Sequence, residues 1–256
     1  MPIRARVKSV TVAVAAIAAT WFAGPALADQ INVAVAANFT AAAKEIAQAF
    51  KAETGDDAVL SFGSTGQLYA QITQDAPFEV FLAADMARPA KAMKEGFGVK
   101  GSSFTYAVGR IVLWSASADI VKGEETLKNG DFGKIAIANP DTAPYGAAAV
   151  AVMKALGVYD ALEPKIVQGN NIAQTYQFVE TGNAELGFVA LSQIAGSDAG
   201  SRWEVPGQLY SPIRQDAVLL KKGADNRVAR TFLEFLRGPK ATAVIEKYGY
   251  GVISTN

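Results

Sequence analysis

Ile31-Asn32-Val33-Ala34-Val35-Ala36-Ala37-Asn38-Phe39-Thr40 is an apolar run, residues 31–36, that stops at a small polar turn before the pattern changes to a helical period over residues 41–52. Phe39, Ala43, Ile46 and Phe50 then fall on one helical face, and Gly55 stands where a helix can end. The first turn of a helix carries N–H groups without intrahelical partners at the positive end of its dipole, so a strand feeding such a turn makes a seat for an anion. Ser61-Phe62-Gly63-Ser64-Thr65-Gly66 repeats the grammar, placing hydroxyls and glycines between an apolar run and a helical one. Two such seats in one chain point to capture of one small oxyanion.

Working outward, strand candidates at 31–36, 58–62, 79–83, 106–114, 134–138, 165–167, 186–191 and 216–220 alternate with helical stretches. That alternation predicts an α/β fold with mainly parallel sheets flanked by helices. The last helical stretch runs around Val228, Phe232, Phe235 and Leu236, breaks at Gly238-Pro239 and resumes from Val244 to Tyr248. Two candidate strands are unusually long, 106–115 with Gly109 inside it and 211–220. Glycine weakens strand pairing and permits bending, so two long strands crossing between two lobes are expected there. The division places 29–108 plus 211–256 in the first lobe and 109–210 in the second, with the ligand in the cleft between them.

The N-terminus reads as an export signal. Arg4, Arg6 and Lys8 form a basic region, residues 10–23 are apolar, and Ala26-Leu27-Ala28 fits the small-x-small cleavage rule, so residues 1–28 are expected to be removed. Loss of three of the 24 basic residues against 24 acidic ones leaves a formal charge of about −3 on the mature chain. A nucleic-acid partner needs a basic surface and is not expected here, and neither is an acidic membrane surface.

Composition narrows the chemistry by omission. The chain has no cysteine, so no disulfide holds it, and about 228 mature residues must rely on burial alone. It has no histidine, which removes the commonest general base near neutral pH and the usual ligands of zinc, copper and iron. A Ser-x-x-Lys pair, the main histidine-free arrangement for hydrolysis, does not occur.

Each lobe brings part of a site. Asn38 stands at a helix start, either as a structural cap or with its amide turned toward an anion. Ser64 and Thr65 lie in a glycine-flanked turn, where an ordinary loop is one reading and convergent O–H and N–H donors the other. In the second lobe, Asn139-Pro140-Asp141-Thr142-Ala143-Pro144-Tyr145-Gly146-Ala147 leads from a strand into an alanine-rich helix. Pro144 ahead of that helix leaves Tyr145 and Gly146 to present their N–H groups, and the phenol of Tyr145 either donates to the anion or packs at the hinge. Gln168-Gly169-Asn170-Asn171-Ile172 is a fourth strand-to-helix junction, with backbone N–H groups near Ile172 as its contribution.

Taken in order, Val33 through Thr40, Ser61 through Gly66, Ala76-Pro77-Phe78-Glu79-Val80-Phe81-Leu82-Ala83-Ala84-Asp85, Pro140 through Gly146, and Gly238-Pro239 with Tyr248-Gly249 carry a resemblance over nearly all of the mature chain. The chain resembles the periplasmic molybdate-binding proteins of ABC importers, which have the two-lobed type II periplasmic-binding-protein fold. The resemblance implies a monomeric, non-enzymatic, cofactor-free receptor for molybdate or tungstate, delivered to a membrane permease. It places the ligand positions on Asn38, Thr65, Tyr145 and Ile172, with backbone help from Ala37 and Ser64. Many members of that family have serine at the position of Asn38 and a tyrosine where this chain has Ala190. Tyr145 replaces a small residue of those members and supplies the phenol from another loop.

Fixed N–H and O–H dipoles can offset the lost hydration of a dianion without a flexible cationic side chain. A site made only of donors also disfavours a protonated oxyanion, whose O–H would be left without an acceptor at ~1–3 kcal/mol. A receptor for sulfate or another oxyanion, and an exported enzyme on the same scaffold, are the alternatives. Asp85 with Glu79, or Asp216 with Glu185, would have to pair for the latter. Gly96-Phe97-Gly98-Val99-Lys100-Gly101 is a literal GxGxxG, but it follows a helical segment rather than a strand, so no dinucleotide site is expected.

Overall fold

The computed structural model describes residues 29–252, and the expected export signal, 1–28, lies outside them. The chain begins with β1 (Gln30–Ala36), α1 (Thr40–Thr54), β2 (Asp57–Gly63), α2 (Thr65–Thr73), β3 (Val80–Leu82), α3 (Ala87–Glu95) and β4 (Phe104–Gly109). It continues through β5 (Ile111–Ser115), α4 (Glu125–Asn129), β6 (Ile135–Ala138), α5 (Pro144–Ala155), α6 (Tyr159–Leu162), β7 (Ile166–Gly169), α7 (Ile172–Glu180), β8 (Leu186–Ala190), α8 (Leu191–Ile194) and β9 (Ser201–Glu204). It closes with β10 (Ile213–Leu219), α9 (Arg227–Arg237) and α10 (Pro239–Lys247).

Two five-stranded sheets result, in the orders β2-β1-β3-β10-β4 and β7-β6-β8-β5-β9. In the first, the period of two sorts side chains onto opposite faces. Ile31, Val33 and Val35 with Val80 and Leu82 pack under Phe39, Ile46 and Phe50 of the first helical turn and α1 and under Val228 and Phe232 of α9. Ala34, Phe81 and Val218 point the other way, onto Leu68, Tyr69 and Ile72 of α2. The second sheet is covered likewise, by α5 on the face of Ile135, Ile137 and Phe188. Its other face, with Val112, Trp114 and Ala136, meets Val179 of α7 and Ile194 of α8.

Both sheets are mixed rather than mainly parallel. β1 pairs in parallel with β2 and β3, and β6 with β7 and β8, whereas β10 and β5 each run antiparallel to both neighbours. The antiparallel strands adjoin the chain crossings: a parallel neighbour needs a helical crossover, and the chain passes directly from one sheet to the other without one. The expected long strand 106–115 is two strands, broken at Arg110 and lying in different sheets. The second expected crossing strand is not continuous. β10 stays within the first sheet, and the return from β9 runs through residues 205–212 with a 3-10 turn at Gly207–Leu209. Pro206 and Pro212 bracket that segment, and a residue without an N–H cannot extend a ladder. β9, which pairs with the edge of β5, had no counterpart among the strand candidates.

Helix α5 sits close against β6 because residue 146 has no side chain. A Cβ there would lie inside the van der Waals envelope of the Ala138 carbonyl and 2.9 Å from the carbonyl carbon of Asn139. Those are backbone atoms that no rotamer can move aside. Gly146→Ala is therefore expected to destabilise the fold by about 1–3 kcal/mol, as overpacking does, whereas Gly207→Ala, with open space around it, is expected to be near neutral. Thermal unfolding of the two variants checks this, and equal melting temperatures would remove the close approach as a constraint.

Candidate functional site

Helix α2 begins with a capping box. The Ser64 hydroxyl accepts from the N–H of Gln67, and the Gln67 side-chain oxygen accepts from the N–H of Ser64, both at 3.4 Å. The N–H of Gly66 leaves the helix and donates to the Thr142 carbonyl at 2.8 Å, across to the loop ahead of α5. Of the first turn, Thr65 keeps its N–H free of an intrahelical partner. Its hydroxyl oxygen accepts from the N–H of Ala84 at 3.0 Å. An oxygen held in that way has its own hydrogen left to give, and the same holds for Ser64. Both residues are buried.

The two second-lobe junctions follow the same accounting. In α7 the Asn171 side chain accepts from the N–H groups of Ala173 and Gln174, both at 3.0 Å, which leaves the N–H of Ile172 as the remaining donor of that turn. In α5, Pro144 occupies the first position and has no N–H. The N–H of Gly146 turns back to the Ala143 carbonyl at 2.9 Å, so that group is not offered to a ligand and the N–H of Tyr145 is.

Asn38 is not a helix cap. It lies within a 3-10 turn, Ala37–Phe39, and the cap position of α1 falls on Phe39. Its amide points inward and donates to the Gln215 side-chain oxygen at 2.8 Å and to the Tyr250 hydroxyl at 3.0 Å. The other end of the Gln215 amide donates to the Tyr145 hydroxyl oxygen at 3.3 Å. One buried glutamine therefore joins Asn38 of the first lobe to Tyr145 of the second. Gly109 is wedged into this junction, where a Cβ would collide with the Tyr145 hydroxyl and stand 2.7 Å from the Gln215 amide nitrogen. Space for the phenol, rather than weak strand pairing, accounts for glycine at 109.

All six residues expected at the site connect to one another. Ala37, Tyr145 and Ile172 share one apolar cluster with Ala84, the residue whose N–H Thr65 holds. Asn38 joins through Gln215, and Ser64 stands directly before Thr65 as the cap of α2. Ala190 is fully buried in the same cluster as Tyr145, consistent with small volume at 190 where a phenol arrives from α5.

The electrostatics of this centre are those of dipoles. Burial pushes the Tyr145 phenol well above its ordinary range, and the neighbouring Tyr250 and Tyr106 add to the effect, so the hydroxyl stays protonated. Arg88, on the rim, is paired with Asp85 and donates to the Asp141 carbonyl of the second lobe at 2.9 Å. On the opposite flank the Ser192 hydroxyl donates to the Asn38 carbonyl at 2.8 Å and lies 2.9 Å from the Tyr250 hydroxyl. The carboxylates considered as pairs have separate partners: Glu79 binds the N–H of Asn32 and the amide of Asn226. Asp216 accepts from Ser103 and Thr105, and Glu185 from the N–H groups of Gly133 and Lys134.

Gln215, Tyr250, Tyr106 and Ser192 were absent from the sequence reading. For Gln215 a signal existed: Ile213, Gln215 and Ala217 alternate inward along β10, so a glutamine falls on a core position. A polar group there needs partners, which makes it a candidate for a network. Tyr250 and Ser192 lie far along the chain from Asn38 and carry no local pattern.

Comparison with known proteins places the chain. The profile of the bacterial extracellular solute-binding proteins matches residues 31–251. The molybdate-binding protein of Rhodobacter capsulatus is 55% identical over 88% of this chain and 90% of its own length. That of Azotobacter vinelandii is 55% identical over 93% of this chain and 96% of its own. Among solved structures, a periplasmic molybdate-binding protein of Azotobacter vinelandii superposes with a TM-score of 0.85 at 40% identity, covering 88% of this chain and all of the other. The chain belongs to the bacterial extracellular solute-binding protein family.

Proposed function

We propose that the chain is a periplasmic receptor that captures molybdate between its two lobes and hands it to the permease of an ABC importer. The donor accounting carries this reading. Ser64, Thr65 and Tyr145 each accept from an N–H of the protein, so each has a hydrogen to give, and Thr65, Tyr145 and Ile172 add N–H groups at helix starts. Asn38 and Ala37 shape the wall from the first lobe, Asn38 by fixing Gln215 and Tyr250. The 55% identical relatives named for molybdate supply the ligand class. Tungstate, of the same shape and charge, is proposed to bind as well.

The receptor acts as a monomer without cofactor or nucleic acid, and residues 1–28 export it. Lobe closure around the ion buries it and presents the permease with a shape that the empty protein lacks. A dianion inside donors alone has every oxygen satisfied, whereas a protonated oxyanion leaves one O–H unpaired.

Calorimetric titration of the mature protein with molybdate, tungstate, sulfate and hydrogen phosphate tests the reading. Molybdate and tungstate are expected to bind tightly and hydrogen phosphate weakly; heat from sulfate alone would reassign the ligand. Tyr145→Phe is expected to weaken molybdate binding by about 1–3 kcal/mol, the net value of one buried donor. Thr65→Val is expected to do the same and also to lower the melting temperature, because the N–H of Ala84 loses its acceptor. Unchanged affinity in both variants would return the two hydroxyls to packing roles.

The pH dependence has a definite sign. A phenol donates while protonated, below its pKa, and burial has raised that of Tyr145 well above the ordinary range. Molybdate affinity is therefore expected to stay level from about pH 7 to 9, where an ordinary tyrosine with a pKa near 10 would begin to lose its proton. A falling affinity over that range, followed by titration at fixed ionic strength, would point to a different titrating donor.

A further inference from the structure

We infer that Gln215 is a positioning residue that sets which way the Tyr145 hydroxyl hydrogen points, and so makes the site one of donors only. The inference rests on the reading above, in which Tyr145 donates to the anion. Gln215 is completely buried on β10, at the register shift between Gln215 and Asp216. Its amide cannot turn over. The oxygen end faces the Asn38 amide nitrogen at 2.8 Å. Asn38 is held that way because Tyr250 gives its hydrogen to the Asn38 backbone carbonyl at 2.7 Å and receives an Asn38 side-chain N–H at 3.0 Å, so reversal would set N–H groups against the N–H groups of Asn38. The NH2 end must then face Tyr145, as it does at 3.3 Å.

A phenol oxygen that receives an N–H has no reason to aim its own hydrogen back along the same line. That hydrogen is left for an acceptor on the ligand side. A carboxylate at 215 reverses the arrangement: with acceptors at both ends it takes the Tyr145 hydrogen, withdraws the donor from the ligand and adds a negative charge beside a dianion. Gly109 preserves the contact, since any side chain there strikes both the phenol and the amide. An uncharged amide, turned one way by Asn38, is what the geometry selects.

Glu is nearly isosteric with Gln, and its protonated form can reproduce the arrangement, its carbonyl accepting from Asn38 and its O–H donating to Tyr145. Burial raises the pKa of such a glutamic acid, in documented cases to about 8–9. Molybdate titration of the mature wild-type protein and Gln215→Glu is run in parallel from pH 6 to 9, with melting temperatures recorded for each. At pH 9 the variant is expected to bind at least a hundredfold more weakly than wild type, and the deficit to shrink at least tenfold by pH 6. Binding at pH 9 within threefold of wild type overturns the inference, and so does a deficit that is the same at both pH values, which is the mark of a merely structural role. Should Gln215→Glu fail to fold, Gln215→Met is expected to weaken binding about tenfold at every pH, a factor of roughly 1.4 kcal/mol. Wild-type affinity in Gln215→Met overturns it equally. Wild-type protein that does not bind molybdate at all brings down the receptor reading itself, which separates the two failures.

Discussion

A hydroxyl has one hydrogen, and what its oxygen accepts decides where that hydrogen can go. In this fold, Ser64 accepts from Gln67, Thr65 from Ala84 and Tyr145 from Gln215. The N–H groups that do this come from a capping box, from the loop after β3 and from β10, so the direction of each hydroxyl is built into elements that also hold the sheets together. Arg88, a cation on the rim, is paired with Asp85, and its reach across to the second sheet's half ends on the Asp141 carbonyl. Formal charge holds the rim while dipoles fill the centre, and that separation suits a dianion that must be released again to a permease.

The strand-to-helix junctions were legible because each is local. Apolar runs ending in Asn, Ser, Thr or Gly before a helical period mark a helix start within a few residues, and all four candidate junctions lie at the heads of helical turns. Strand order and direction were less so. Alternating strands and helices imply parallel pairing, but β5 and β10 pair antiparallel with both neighbours because the chain changes sheets beside them, which no short window of sequence records. Asn38 shows the same limit at the level of one side chain. Its position predicted a cap or a ligand-facing amide, and its partners, Gln215 and Tyr250, stand 177 and 212 residues away. Local pattern places a backbone; long-range partners decide where its polar side chains point.

The origin of the phenol is a question of volume. Tyr145 is almost wholly buried, and it fits because three positions around it are small: Gly109 under its hydroxyl, Ala190 in the cluster it fills, and Gly146 next to it, which lets α5 approach β6. A tyrosine at 190 would meet the ring from α5 in a cluster already packed to interior density, where extra atoms force strain. Tyr145 thereby combines an N–H at the helix terminus with an O–H whose oxygen receives the Gln215 amide N–H. One hydrogen bond thus joins the two halves of the fold, because Tyr145 follows a strand of the second sheet and Gln215 lies in the first.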